Sequence, residues 1–370
     1  MARVGSWKVL GLLVLMAGIA QAESPFGLKA GHAELKSAGV LTFGPHGVLF
    51  VADPQQAAIF AIDTQDQQGD LSAARVEVDG INEKLASMLG VEPRDVLIND
   101  VAVNPLSGNV YLSVSRGRGP DAQPVIVKVS AEGKLSDVSL KNVPFAKTSL
   151  PNAPADQVTG EGNRRQNPRT QSITDLAFID GRLFVAGLSN EEFASKLRAI
   201  PFPFQEANQG TSVEIFHGAH GKFETRSPIR TFVAYEIGGD PHLLAAYTCT
   251  PLVKFRVSDL TPGKKLQGVT LAELGNRNNP LDIIVYQQDG RDFLLIANSS
   301  RGVMKVSTEE IGKQEGITEP VTGGGTAGLK YETISTLKGV VQLDKLNAKS
   351  AVVLVVDEAG RASLKTIELP

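Results

Sequence analysis

The chain has 370 residues, with 37 Lys and Arg against 40 Asp and Glu, and a formal net charge of −3. That balance gives no global attraction to nucleic acid or to an anionic membrane, so any electrostatic specificity must be local. Cys249 is the sole cysteine, which excludes an intramolecular disulfide and leaves stability to the core that a chain of this size can bury.

In chain order the first element is MARVGSWKVLGLLVLMAGIAQA, residues 1–22. Arg3 and Lys8 give a basic start, Val9 to Ala20 an apolar run, and Ala20-Gln21-Ala22 a small-x-small cleavage site. This is the pattern of a secretory signal peptide, too short and wrongly flanked for a stable span. No cysteine follows the apolar run, so a lipoprotein is not expected. No later run approaches the roughly 18 apolar residues of a membrane helix. Residues 23–370 are therefore expected to form one soluble, monomeric domain in the periplasm or outside the cell.

The remainder reads as short apolar runs rich in Val, Ile, Leu and Phe, punctuated by Gly and Pro, which favours an all-β chain. One phrase recurs: strand, Gly turn, strand, polar loop, strand. It begins at Gly39, Ile98, Ile173, Arg230, Leu281 and Gly339. A further β-like run separates the copies: Ala74–Val78, Leu135–Leu140, Thr211–Phe216, Lys265–Leu274 and Lys330–Thr336. Four-stranded meanders at a period of roughly 50 to 70 residues predict a β-propeller. The sixth copy lacks a fourth strand, and Gly27–Ser37 is expected to supply it, closing a ring of six antiparallel blades at its last open edge. A seventh blade would need a hidden repeat in Pro144–Gln171 or Gly312–Gly328, and both read as loops. One short inserted helix is expected in INEKLASMLGVEP, where Ile81, Leu85, Met88 and Leu89 form an apolar stripe ending before Gly90 and Pro93.

The phrases FGPHGVLFVAD, NDVAVNPLSGNVYLSV and DLAFIDGRLFVAG resemble the six-bladed propeller superfamily of NHL, TolB-like and gluconolactonase/regucalcin-like proteins. The resemblance covers nearly all of residues 23–370 and speaks to fold before chemistry. In the gluconolactonase/regucalcin-like enzymes, residues at the starts of inner strands hold a divalent cation. Here Asn99, Asp100, Asp175 and Asp282 match such positions. The resemblance thus implies a Ca2+ site in the central channel and, as an alternative function, a metal-dependent lactonase or phosphoesterase. The acidic ligand of the first blade is missing, because Gly39 to Pro45 holds no Glu.

Loops between second and third strands share one rim with loops that join blades. Arginines gather there, among them Arg94, Arg116, Arg118, Arg169, Arg226, Arg230, Arg277 and Arg301. Arginine suits bidentate recognition of carboxylate or phosphate. The leading expectation is an Arg-rich rim that binds a small anionic molecule or an envelope protein. Arg116, Arg230, Arg277 and Arg301 are its candidate ligand-binding residues, with His217 and His220 beside them. Those histidines and Cys249 also form a conceivable soft-metal set, although His-x-x-His on a Gly-rich loop fixes little geometry; a polar loop that contacts a ligand is the favoured reading. There is no Gly-x-Ser-x-Gly elbow, P-loop, Cys-x-x-Cys-His or His-Glu-x-x-His motif.

Overall fold

A computed structural model describes residues 26–162 and 165–370; the expected signal peptide lies outside the described residues. The chain is a six-bladed β-propeller. Each blade starts with an inner strand: Leu41–Phe43, Val96–Val103, Asp175–Ile179, Ile229–Ile237, Pro280–Gln288 and Val340–Lys345, numbered one to six in chain order. From each, the chain meanders outward through antiparallel hairpins whose turns are set by glycine or by residues tolerating positive φ, such as Asp180-Gly181 and Asp289-Gly290. Within the meander units the observed strands follow the repeat phrase closely. The helix spans Ile81–Leu89 and stops at Gly90, whose φ of 67° needs no Cβ. Ile81 and Leu85 bury its inner face, whereas Met88 is left exposed.

Six apolar clusters fill the blade interfaces, and their membership gives the order of blades around the ring. Blade one packs on blades two and three, and blade two packs on blade six. Blades three, four, five and six follow one another. The ring therefore runs two, one, three, four, five, six, and back to two. The first two blades stand in the reverse of chain order.

That reversal explains three departures from the sequence reading. The run at Ala74–Val78 does not complete blade one. After the third strand of blade one, Ala58–Asp63, the chain crosses to blade six, where Glu77–Val78 pairs with Ala362–Glu368. The ring is thus closed from the N-terminal part of the chain, but by this strand and not by Gly27–Ser37. Blade one takes its outer strand from Val143–Ser149, inside the stretch read as a rim loop, and Lys29–Gly31 adds a further edge strand there. Asp66 fixes the crossing: its carboxylate accepts hydrogen bonds from Ser107 Oγ, Asn109 Nδ2 and Tyr111 OH of blade two at 2.9 to 3.0 Å. No helix among the described residues is long and apolar enough to cross a membrane.

Candidate functional site

The inner strands share a device. Their pairing with the second strand slips by one residue between Ile98 and Asp100, Ile229 and Thr231, Pro280 and Asp282, and Val340 and Gln342. Each slip is a β-bulge, which leaves one residue out of the ladder and re-aims its side chain. The extra residues are Asn99, Arg230, Leu281 and Val341. In blades one and three the matching residues are Val40 and Thr174. All six line cavities at the channel mouth. Val40, Asn99, Thr174 and Arg230 border one of about 290 Å³, together with Ser115, Gln55 and Gln171. Leu281 and Val341 border a larger one of about 870 Å³, with Arg94, Arg118 and Arg361 on its wall. Both cavities therefore carry arginine, Arg230 among polar neighbours in the smaller one and Arg94, Arg118 and Arg361 beside the aliphatic Leu281 and Val341 in the larger.

Arg230 is the distinctive member. Its guanidinium is half-buried, and burial pushes its pKa down. Nε is buried without a hydrogen-bond partner, and Arg230 forms no ion pair among the described residues. Thr174 Oγ1, in the same cavity, is also buried and unpartnered. Asn99 Nδ2 is committed to Ala38 O (2.8 Å) and Ser115 Oγ (2.9 Å), which fixes its amide.

The other rim arginines behave differently. Arg118 Nε donates to Arg94 O (2.7 Å), Arg169 Nε to Pro154 O (2.5 Å) and Arg226 Nε to Glu192 O (3.3 Å). Arg301 lies on Gly275, where a Cβ would stand 2.4 Å from its Cζ, and donates to Asn276 O (3.2 Å). Arg116 and Arg277 are exposed. Of the four candidate arginines, only Arg230 borders the mouth cavity; Arg116, Arg277 and Arg301 do not converge on it.

One residue deeper, Asp100, Asp175 and Asp282 face a channel cavity of about 300 Å³ with Asp344, Thr231 and Phe43. These carboxylates border the channel yet are surrounded by protein. Each accepts a backbone N–H from the next blade: Asp100 from Leu41 (2.7 Å), Asp175 from Phe232 (2.6 Å), Asp282 from Leu343 (2.9 Å) and Asp344 from Val103 (2.7 Å). They are inter-blade staples. Burial pushes all four pKa values up, with Asp175 reaching about 7 and Asp344 about 6. Mutual repulsion adds to the rise at Asp100 and Asp282. Gln342 occupies the equivalent place in blade six. With its amide nitrogen toward the carboxylates, it donates to Asp282 Oδ2 (2.8 Å) and Asp100 Oδ1 (3.1 Å). The aspartates do not gather three ligand oxygens within 4.8 Å of one another. Their spacing suits staples better than a Ca2+ cage, which needs six to eight oxygens at about 2.3–2.6 Å.

The His217 loop is a fixed turn away from the mouth cavities. His217 ends the strand Thr211–His217 and is buried, with Nδ1 3.1 Å from Glu224 Oε2. His220 is partly exposed, with Nδ1 2.7 Å from Glu224 Oε1. Gly218 N donates to Glu273 Oε1 (2.6 Å), and a Cβ on Gly218 would meet Val321 at 2.8 Å. Cys249 does not join this group.

No protein-family model and no curated protein matches the sequence. Solved structures similar to the chain include the aldose sugar dehydrogenase of Streptomyces coelicolor in its PQQ-bound form. That match has 12% identity, covers 92% of this chain and 96% of that one, and has a TM-score of 0.37. A protein assigned as a 6-phosphogluconolactonase from Bacteroides uniformis matches at 12% identity, over 90% of this chain and 78% of that one, with a TM-score of 0.34. A protein assigned as a glucose dehydrogenase from Thermus thermophilus matches at 14%, over 92% and 100%, with a TM-score of 0.35. At these values nothing about chemistry passes from those proteins to this chain; what stands is that it is a six-bladed β-propeller.

Proposed function

We propose that the protein, exported to the periplasm or beyond, binds a small amphipathic anion across its channel mouth. In this reading Arg230 takes the carboxylate or phosphate, Thr174 and Ser115 add hydroxyl hydrogen bonds, and Val40, Leu281 and Val341 receive the apolar body. The observation that carries it is the state of Arg230. A guanidinium held in a cavity without a carboxylate is costly, since buried charges are ordinarily paired. An anion arriving there meets a donor fork already positioned, and ion-assisted hydrogen bonds are roughly twice as strong as neutral ones. Calorimetric titration with phosphorylated and carboxylated small molecules tests this. A ligand should bind the wild type, and Arg230→Gln should weaken it by about 10-fold or more, the loss of one charged hydrogen bond worth roughly 1.5–3 kcal/mol.

The second reading is a divalent-metal lactonase or phosphoesterase using Asn99, Asp100, Asp175 and Asp282. Its support is the convergence of carboxylates in one channel. Against it, every one of those carboxylates already accepts backbone amides from a neighbouring blade. Stoichiometric Ca2+ retained through dialysis, and lost in Asp175→Asn, would favour this reading over the first.

A further inference from the structure

The turn after the outer strand of blade three holds a second constellation, independent of the channel mouth. The 3-10 turn Gly218–His220 packs the rings of His217 and His220 against each other, tilted by 34°, with centroids 3.8 Å apart. Gly221, at φ 63°, then reverses the chain so that Lys222–Glu224 pairs back on the strand. The result is two imidazole nitrogens and one carboxylate oxygen, all within 4.8 Å of one another. Among the described residues no other three His, Cys, Asp or Glu side chains meet this closely.

Two buried polar atoms lie beside this group, outside its ligand atoms. His217 Nε2 is buried without a partner, although its ring is only 2% exposed. Glu273, on blade four beside the turn, is buried with Oε2 unpartnered. Glu224 is held in place by contacts with His217 (3.1 Å), His220 (2.7 Å) and the Ser227 hydroxyl. Two imidazoles and the Glu224 carboxylate thus meet at one turn, with Glu273 beside them.

We infer that His217, His220 and Glu224 form a binding site for a divalent transition cation of the zinc class. Two imidazoles and one carboxylate are the borderline-soft donor set that Zn2+ favours, at about 2.0–2.2 Å per bond. Tetrahedral bonds of that length need ligand atoms roughly 3.3 Å apart. The N···O contacts go to different oxygens of Glu224, 3.1 Å from His217 Nδ1 to Oε2 and 2.7 Å from His220 Nδ1 to Oε1. An ion would therefore gather both nitrogens on one oxygen and part the two rings, which His220 can do by swinging outward. The ion displaces the protons now shared between the imidazoles and Glu224. The fourth position faces outward beside His220, whose side chain is 44% exposed, and is open to water or a ligand atom. The rest of the shell is supplied by Ser227, which donates to Glu224 and orients it.

The test is titration of tag-free, chelator-stripped protein with Zn2+ alone, followed by calorimetry and thermal melting. About one Zn2+ per chain should bind, and binding should raise the melting temperature, as any ligand of the folded state does. His220→Ala is the informative variant because the His220 ring, 44% exposed, is the least buried of the three, and the variant's melting temperature without metal reports whether it folds. It should weaken Zn2+ binding by roughly 100-fold or more, beyond the 10–100-fold typical of outer partners, and should abolish the thermal shift. Glu224→Gln should do the same if it folds. No saturable Zn2+ binding by the wild type, or equal binding by His220→Ala, overturns the proposal.

Discussion

The Asp344 carboxylate of blade six accepts a hydrogen bond from the Val103 amide of blade two, 2.7 Å away across 241 residues of chain. This pair ties the last blade to the second rather than to the first, and so records the reversed order of the ring. Asp344→Ala should leave the Val103 N–H buried and unsatisfied, at a cost of about 1–3 kcal/mol. Urea unfolding measures it; a change within about 0.5 kcal/mol, as at an ordinary surface site, would mean that the staple contributes nothing.

The channel carboxylates set an unusual pH dependence. Their folded pKa values lie above the unfolded ones, about 7 for Asp175 and about 6 for Asp344. The folded state then binds more protons than the unfolded state between about pH 4 and 7, so stability from these groups falls as pH rises. Glu224 works oppositely: its folded pKa of about 2 gives stability present above about pH 4.5 and lost as pH falls toward 2. Stability should therefore decline from about pH 5 to about pH 7, and Asp175→Asn should flatten that slope. Denaturant titrations at several pH values decide it, and identical slopes in the two proteins would contradict the assignment.

Ring closure makes a prediction of its own. Val78 is 1% exposed, and Val76 N donates to Thr366 Oγ1 (2.8 Å) beside the closing pair. Val78→Asp should destabilise the protein by several kcal/mol, because it buries an unpaired charge at the closure. Deleting Lys29–Gly31, the added edge strand of blade one, while keeping Phe26 and Leu28, which pack into the interface of blades one and three, should cost much less. A deletion as damaging as Val78→Asp would count against closure at Glu77–Val78.

The six meanders were legible because hairpin alternation is local: Leu183-Phe184-Val185-Ala186 and Leu294-Leu295-Ile296-Ala297 announce second strands wherever they lie in the chain. The partner of a short outer strand was not. Two residues, Glu77 and Val78, carry no pattern that names blade six over blade one, and consecutive elements are neighbours only about two-thirds of the time. Asp100, Asp175 and Asp282 were found because they repeat in register. Asp344 was missed because blade six has Gln342 at that place and its acid two residues later, on the same strand face. Arg230 was legible as a rim residue, but its solitude was not, since charge pairing depends on side chains from four blades. Glu224 was not grouped with the histidines, because only the turn at Gly221 brings it to them.

The anion site at the channel mouth is tested most directly by ligand affinity in wild type, Arg230→Lys and Arg230→Gln at low and high salt. Surface attraction is screened within about 10 Å at 0.1 M salt, while a half-buried pair is screened less. The expected result is a ligand whose affinity falls by about 10-fold or more in Arg230→Gln. Arg230→Lys should recover only part of it, because lysine lacks the planar fork. A full panel of phosphates and carboxylates that fails to bind the wild type, or binds all three proteins equally, would contradict the account.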